Sequence, residues 1–265
     1  MPKVARNRAS ANGVSFAAAV NDKVVLAGCL RRSPDLVAGA AALRTYEGFA
    51  SAARAYNRAL DEADTDVVVL VHQDVYLPGG FLDRLDEALA QLAALDPNWA
   101  VAGVIGLDPP GNVVGETWSS GLRQLVGGKV SAPTAVVTLD EVLLVVRRAA
   151  GVRFDEEMPG YHLYAADFVL QASEAGHRSY VIDLPIIHHS RPVVKLDAGY
   201  RRAYRFMQRK WRRRLPIPNL VCTISRSPLP LALRDARLRW LNRGQGDRRA
   251  PSEDPVTVAH RLGME

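Results

Sequence analysis

The fold is decided by the stretch VVVLVHQDVYLP, residues 67–78, in which five apolar residues run directly into His72, Gln73 and Asp74. An apolar run of this length, without alternating polar residues, is typical of a strand that is buried on both faces of a sheet. A Pro-Gly-Gly run then ends the segment. The sequence therefore predicts a histidine and a carboxylate, two residues apart, at the carboxyl end of a buried strand.

Short apolar segments alternate with helical patterns on both sides of this strand. The further predicted strands are VSFAAAV (14–20), WAVAGVIGL (99–107), one or two strands within TAVVTLDEVLLVVRR (134–148), and YVIDLPIIHHS (180–190). Helices are predicted over 23–34, ended by Pro34, over 45–63, over the segment with Leu82, Leu85, Leu89 and Leu92 on one face, and over 165–175. Strands that alternate with helices predict an α/β fold with a largely parallel sheet.

Composition excludes several classes of protein. The chain has 265 residues, of which 48% are hydrophobic, enough for one large core. It contains no apolar run of the ~18 residues that span a bilayer, and its N-terminus lacks the apolar centre of a signal peptide. Cys29 and Cys222 form neither a disulfide framework nor a zinc pattern. A bacterial-type cytoplasmic protein is expected.

Charge is distributed unevenly along the chain. Between residues 191 and 249, 17 lysines and arginines stand against three acids, a net charge of +14, so the remainder carries −8. Within this basic part, an apolar stripe at helical spacing predicts an amphipathic basic helix, formed by Tyr200, Ala203, Tyr204, Met207 and Trp211. Its stripe is expected to dock on the body of the protein. Residues 244–255 are predicted to be disordered.

Several polar residues are predicted to share one rim of the sheet. In open α/β sheets, ligands bind outside the carboxyl ends of the strands. Asp22, Asp74 and either His188 or His189 all follow apolar runs. Because a strand alternates faces, only one of the two histidines can point to this rim, and His188 is preferred. Such a cluster can hold a divalent ion and leave room for phosphate oxygens. The alternative is that His72 and Asp74 cap a turn.

The ordered set of motifs resembles the family 2-type glycosyltransferases of the GT-A fold. VVVLVHQDVYLP resembles their metal-binding strand end, and AAAVNDKVVLAGCLRRSP resembles their first strand and nucleotide-contacting loop. ARAYNRALDEADTDVVVLVHQD resembles the approach to that motif, and residues 138–190 resemble the acceptor half. RKWRRRLP is similar to a stretch that follows the core in some members.

This resemblance covers about residues 14–218 and implies a division of the chain. It implies a nucleotide-binding half at about 14–108 and an acceptor half at about 109–218. Residues 1–13 are then a flexible N-terminus, and residues 219–265 a basic, partly disordered tail.

The resemblance also implies donor and metal contacts. It implies an inverting enzyme that transfers a sugar from a nucleotide-diphosphate sugar with Mn²⁺ or Mg²⁺. Asp74 is the implied metal ligand, with His188 beside it. His72 departs from the family, which usually has an aspartate at this position. The implied donor-binding residues are Val20, Asn21, Asp22, Asn57, His72, Gln73 and Asp74. Asn21 and Asp22 can equally form a plain turn, and Asn57 can bond within its own helix.

Roles in catalysis and in acceptor binding are expected for five residues. Asp167 matches the family's general base, although an aspartate in a first helical turn is also favoured by the helix dipole. Trp118, Tyr161, His162 and Tyr164 are candidates for stacking on an acceptor sugar. At least two of these four are expected to belong to the core instead.

Other functions remain open at this point. A nucleotidyltransferase shares the metal site at a strand end, but usually has a Gly-rich basic first loop, which VNDKVVLAGCL lacks. A nucleic-acid-binding protein is suggested by the basic block, without a recognition motif. A Rossmann dehydrogenase is excluded because no G-x-G-x-x-G follows the first strand. The basic helix has three possible uses: gripping an acceptor's phosphate, resting on the anionic inner leaflet of a membrane, or forming a solvated face.

Overall fold

The computed structural model of the chain describes residues 13–243 and 253–265. Residues 1–12 and 244–252, and with them most of the two segments predicted to be flexible or disordered, lie outside the described residues. The strands are β1 Val14–Val20, β2 Leu43–Glu47, β3 Val67–Val71, β4 Val75–Tyr76, β5 Trp99–Gly103, β6 Ile105–Leu107, β7 Val113–Ser119, β8 Gln124–Gly128, β9 Thr134–Val136, β10 Thr138–Leu139, β11 Leu143–Arg147, β12 Arg178–Val181 and β13 Ile187–His188. The helices are α1 Lys23–Gly28, α2 Pro34–Val37, α3 Ala52–Glu62, α4 Phe81–Leu95, α5 Tyr164–Glu174, α6 Ala198–Lys210, α7 Leu229–Leu241 and α8 Pro255–Arg261.

The main sheet has seven strands in the order β2-β1-β3-β11-β5-β12-β9. Five of them run in one direction, because β11 is antiparallel to β3 and β5, and β9 is antiparallel to β12. Helices pack on both faces of this sheet. The predicted fold class, an α/β fold with a mostly parallel sheet flanked by helices and a basic helical extension at the C-terminus, is confirmed.

The apolar run of the central strand β3 is buried on both faces of the main sheet. Val68 and Leu70 belong to the apolar cluster under α3, α5 and α6. Val69 and Val71 belong to the cluster on the opposite face, with α1 and α4. Alternate side chains of a strand point to opposite faces, so a strand covered on both sides must be apolar at every position.

A second sheet lies beyond the carboxyl end of β3. Its strands follow the order β10-β6-β7-β13-β4, and β8 pairs with the other edge of β7. The segment WAVAGVIGL, predicted as one strand, divides between the two sheets: β5 lies in the main sheet and β6 in the second. TAVVTLDEVLLVVRR likewise gives three strands, of which β10 alone joins the second sheet.

The helix predictions need two corrections. The helix predicted over 45–63 begins only at Ala52, because Gly48 adopts a positive φ of 76° that ends strand β2, and Ser51 then caps α3. Pro34 does not simply end a helix. It occupies the first turn of α2, where proline is tolerated because its missing N–H would be unpaired there in any case.

The C-terminal extension packs on the body through α6. Tyr200, Ala203, Tyr204, Met207 and Trp211 are all buried, which confirms the predicted docking of the stripe. Helices α7 and α8 follow in the part of the chain predicted as a tail. Helix α8 covers Tyr76 and Ile187 of the second sheet through Val258 and Ala259. Among the described residues, no helix is both long enough and apolar enough to cross a bilayer.

Candidate metal and nucleotide site

His72, Asp74 and His188 converge at the carboxyl end of β3. One side-chain ligand atom from each lies within 4.8 Å of the others. The Asp74 Oδ1 is 3.6 Å from the His188 Nε2 and 4.0 Å from the His72 Nδ1. All three side chains are half-buried. Two imidazole nitrogens and one carboxylate at these distances can surround one divalent cation.

The backbone fixes this convergence. Strand β13 pairs antiparallel with β4 and places His188 opposite Val75, immediately after Asp74. The backbone N–H of His189 donates to the carbonyl oxygen of Asp74 at 2.8 Å. Of the two neighbouring histidines, the one preferred from the sequence is therefore the one that joins the cluster.

Electrostatics at the cluster favour an ionised carboxylate. Burial by itself would raise the pKa of Asp74, but His188 and His72 outweigh burial and hold that pKa well below its usual range. Burial lowers the pKa of His188, yet Asp74 and then Asp140 outweigh it, so that the pKa of this histidine is raised. The pKa of His72 is lowered, chiefly by burial. Asp74 thus presents a negative charge between two imidazoles.

Tyr164 orients His72. The hydroxyl of Tyr164 donates to the carbonyl oxygen of Glu141 at 3.0 Å, and it lies 3.0 Å from the His72 Nε2. Because a hydroxyl has one proton, its oxygen must accept from the His72 Nε2–H. The His72 Nδ1 then keeps its lone pair and faces Asp74. Such outer contacts set the tautomer and orientation of histidines that bind metals.

Gln73 joins the ends of the two central strands. Its Oε1 accepts from the backbone N–H groups of Asn21 and Asp22, each at 3.1 Å, and its Nε2 donates to the side chain of Asn21. The loop after β1 is thereby held against the loop after β3. The sequence placed these residues at one rim but did not show that Gln73 connects them.

A cavity of about 190 Å³ opens at this junction. Two tyrosines and the ends of β1 and β3 line it: Ala19, Val20, Asn21, Tyr56, His72, Gln73, Asp74 and Tyr161. Five of the seven predicted donor-binding residues therefore surround one cavity. Tyr56 was missed because its position within a helical pattern indicates only a core residue.

The other two predicted donor-binding residues have structural roles. Asp22 caps α1, accepting from the backbone N–H groups of Val24 and Val25. Asn57 is buried; its amide donates to the carbonyl oxygen of Phe154 and to Glu156, while its oxygen accepts from the N–H of Phe154. Asn57 thus ties α3 to the loop before α5, and it is not among the residues that line the cavity.

The structure encloses Asp167, the residue predicted to be the general base. Its side chain is only 1% exposed, and each of its oxygens is hydrogen-bonded. Lys210 Nζ lies 2.8 Å from Oδ1, Trp211 Nε1 donates to Oδ1 at 2.7 Å, and Gln171 donates to Oδ2 at 2.9 Å. A carboxylate enclosed in this way cannot reach an acceptor hydroxyl. Asp167 instead anchors α6 to α5.

The four candidates for acceptor stacking separate into two groups. Tyr161 lines the cavity and is 42% exposed, and His162 lies 3.6 Å from Asp197 at the surface. Tyr164 is buried, holds His72 and is not among the residues that line the cavity. Trp118 is also unsuited to stacking, because α8 covers it and the Arg261 guanidinium lies over its ring, 5.1 Å from the centroid.

An acidic turn beside the cluster was not identified from the sequence. Asp140 and Glu141 lie between β10 and β11, and the Glu141 Oε1 accepts from the backbone N–H of Leu163 at 3.2 Å. Burial, and next the neighbouring Asp140, raises the pKa of Glu141 to about 8. The only signal in the sequence was two acids within a run of apolar residues.

Comparison with known proteins by sequence gives one relative. A protein from Fuscovulum blasticum, described as "ATP synthase subunits region ORF 6", is 34% identical over 166 residues. The match covers 61% of this chain and 66% of that protein, just under two thirds of its length. Its description states no activity. No family model matches the chain.

Several solved structures share parts of the fold at low identity. A mannosyltransferase from Pyrobaculum calidifontis, in complex with GDP-Man and Mn²⁺, is 12% identical, with 95% of this chain and 80% of that chain covered and a TM-score of 0.46. GalNAc-T7 with UDP, GalNAc and Mn²⁺ is 8% identical, with 74% and 47% covered and a TM-score of 0.46. S. aureus TarS with UDP-GlcNAc is 13% identical, with 74% and 64% covered and a TM-score of 0.45. Similarity at this level does not identify the reaction, donor or acceptor of this chain.

Proposed function

We propose that the chain is a metal-dependent glycosyltransferase that transfers a sugar from a nucleotide-diphosphate sugar to an acceptor hydroxyl with inversion. The observation that carries this proposal is the cluster of His72, Asp74 and His188 beside a cavity at the carboxyl ends of the central strands. Ligands of open α/β sheets bind at this edge. The resemblance of the HQDV segment and of the acceptor half to family 2-type glycosyltransferases supports the same function.

The donor atoms of the cluster select among cations. Mg²⁺ strongly prefers oxygen ligands, whereas transition-metal ions also accept imidazole nitrogen. Two histidines and one aspartate therefore favour Mn²⁺ over Mg²⁺. When bound, such a cation would neutralise the charge of the donor diphosphate and of the departing nucleotide.

The cavity is suited to one part of the donor. Its volume of about 190 Å³ is below the roughly 300 Å³ at which pockets for whole ligands begin. We propose that Val20, at the end of β1, and Asn21, in the loop after it, contact the nucleoside, and that Tyr161 borders the position of the transferred sugar. Gln73 would keep the two loops at a fixed separation.

We assign the role of general base to Glu141. An inverting transfer needs a group that removes the proton of the acceptor hydroxyl as the hydroxyl attacks the anomeric carbon. The backbone carbonyl oxygen of Glu141 accepts from the Tyr164 hydroxyl that also contacts His72, so the residue lies next to the metal cluster. Burial raises its pKa to about 8, so its carboxylate form is more basic than an ordinary glutamate and becomes populated as the pH approaches that value.

The base assignment is tested with Glu141→Gln. We expect the rate of sugar transfer to fall by about 10² to 10⁴, the usual contribution of a positioned base, while the affinity for the donor nucleotide stays nearly unchanged. Glu157→Gln, an exposed glutamate after the loop that Asn57 holds, is the matched control. Transfer by Glu141→Gln within a few-fold of wild type would contradict the assignment.

The activity itself is tested first through binding. UDP, GDP and dTDP are added to the full chain with Mn²⁺, with Mg²⁺ and with neither, and the thermal unfolding midpoint is measured. A nucleotide at 100 times its dissociation constant stabilises the folded state by about 2.7 kcal/mol. We expect one nucleotide to raise the midpoint in the presence of Mn²⁺ and much less in its absence. No shift with any nucleotide and metal would contradict a nucleotide-sugar donor.

A further inference from the structure

Helix α7 presents large apolar side chains to solvent. Leu229, Leu233 and Trp240 are 63%, 65% and 62% exposed. They occupy positions i, i+4 and i+11, which lie on one face of a helix. Leu241, at the end of the helix, is also more than half exposed. We call Leu229, Leu233 and Trp240 the outer stripe of α7.

The opposite face of α7 is firmly docked, so the orientation of the outer stripe is fixed. Leu231 and Leu238 are buried on that face, together with Asp235. The Asp235 carboxylate accepts from the backbone N–H of Leu196 at 2.8 Å and forms ion pairs with Arg201 and Arg239. Rotating α7 to bury the outer stripe would break these contacts. Arg201 of α6 is held here by Asp235.

A basic groove lies next to the start of α7. It has a volume of about 580 Å³, larger than the cavity beside the metal cluster, and none of its lining residues belongs to that cluster. Five arginines line it, together with Gln208 and Leu215: Arg205, Arg209, Arg212, Arg213 and Arg226. Within residues 13–243 and 253–265, none of these five arginines pairs with a carboxylate. We call these residues the arginine groove.

The groove and the outer stripe are neighbours. Gln208 of α6 donates to the carbonyl oxygen of Ser225 at 2.6 Å, just before Arg226 and α7. Nearer the start of α6, Arg201 contacts Asp235 in the middle of α7. The two helices therefore lie side by side and run in opposite directions. Arg237 on α7 and Arg243 just after its end add exposed positive charge.

We propose that α7 and the arginine groove form one surface that binds an anionic phospholipid bilayer. Leucine and tryptophan on one helical face insert at the boundary between headgroups and acyl chains. Guanidinium groups bind phosphate oxygens in a bidentate manner, and the unpaired arginines of the groove are available for this. Charge alone would suit any polyanion, whereas the exposed Leu–Trp stripe requires an apolar phase as well. This inference does not depend on the catalytic function proposed above.

The test is co-sedimentation of the full chain with vesicles. Phosphatidylcholine vesicles with and without phosphatidylglycerol are compared at low and high salt. We expect binding to the anionic vesicles, with salt weakening it, and little binding to neutral ones. Leu233→Ser/Trp240→Ser should reduce the partition coefficient by at least about tenfold, because interfacial binding scales with buried apolar area. The matched control is Leu95→Ser/Val37→Ser, at exposed apolar positions of other helices.

The contribution of the groove is tested separately. Changing Arg205, Arg209, Arg212 and Arg213 to glutamine should also lower partitioning at least about tenfold, since each basic residue near an anionic surface contributes about fivefold. Changing the exposed Arg31, Lys129, Arg178 and Arg191 to glutamine removes the same net charge and should have a much smaller effect. Circular dichroism verifies that each variant is folded.

Four outcomes would overturn the proposal. They are equal binding to neutral and anionic vesicles, binding to neither, variants that bind as well as wild type, and control variants that lose as much as the targeted ones. Competition with a short DNA duplex tests whether the surface is a nucleic-acid site instead. If DNA binds and its binding requires the groove but not the outer stripe, the surface is a nucleic-acid site and the membrane assignment fails.

Discussion

Asp74 and Asp167 are both aspartates at the edge of a secondary-structure element. Asp74 was predicted to bind the metal and the donor, and Asp167 to be the general base. Asp74 follows β3, borders an open cavity and has two imidazoles near it, neither within 3.5 Å of its Oδ1. Asp167 lies in the first turn of α5 and is enclosed by Lys210, Trp211 and Gln171.

The difference between the two carboxylates is one of access. The surroundings of Asp74 leave space for a cation, because the imidazole nitrogens of His188 and His72 lie 3.6 Å and 4.0 Å from its Oδ1. Those of Asp167 already supply a cation and two further donors at hydrogen-bond distance. A carboxylate can therefore serve either a ligand or the fold, and its sequence motif alone does not decide which.

The largest effect on stability is expected at Asp167. Asp167→Asn leaves Lys210 with one buried partner fewer, and breaking a buried ion pair costs about 3 to 5 kcal/mol. Because Lys210 keeps Asp155 at 2.7 Å, we expect about 3 kcal/mol by chemical denaturation, with Mn²⁺ affinity unchanged. Retained stability together with lost sugar transfer would instead restore Asp167 as the catalytic base.

Asp74→Asn should weaken binding and leave stability nearly unchanged, the opposite of Asp167→Asn. Loss of a charged ligand should weaken Mn²⁺-dependent nucleotide binding by at least about 100-fold, since even outer contacts of a metal ligand contribute 10- to 100-fold. The free energy of unfolding of the metal-free variant should differ little from that of the metal-free wild type. Binding is measured by calorimetric titration, with the exposed Asp183→Asn as the control. Unchanged Mn²⁺-dependent affinity in Asp74→Asn would remove it from the metal site.

A smaller effect is expected at Tyr164. Tyr164→Phe removes the hydroxyl that holds His72 but keeps the ring in the core, so Mn²⁺ affinity should fall by about 10- to 100-fold. Tyr180→Phe removes a hydroxyl that donates to Asp96 at 2.8 Å, away from the cluster, and serves as the control. Equal affinity in the two variants would show that Tyr164 does not orient His72.

The smallest effect is that of pH. A protonated imidazole cannot bind a cation, and the pKa of His188 is raised above its ordinary value. Mn²⁺ affinity should be full above that raised pKa and decline as the pH falls through it, by up to about tenfold per pH unit. Titrations of Mn²⁺ at a series of pH values measure this. An affinity that is constant from mildly alkaline to mildly acidic pH would exclude His188 as a ligand.

The alternation of strands and helices, the burial of β3 and the rim at which Asp74 and His188 meet could all be predicted from the sequence. These follow from local rules, because apolar periodicity sets the faces of an element and the direction of a parallel strand sets where its end lies. The sequence also predicted that the stripe of α6 docks, since an apolar helical face must be covered.

Which polar residues are already paired could not be predicted without the packed fold. Asn57 and Asp167 have their partners 97 and 43 residues away in the chain, and no local pattern reports such contacts. The same holds for α8 covering Trp118 and for Tyr164 holding His72. Hydrogen bonds between distant segments depend on how the elements pack, so the sequence indicated where a site could form, and packing selected the side chains that remain free to form it.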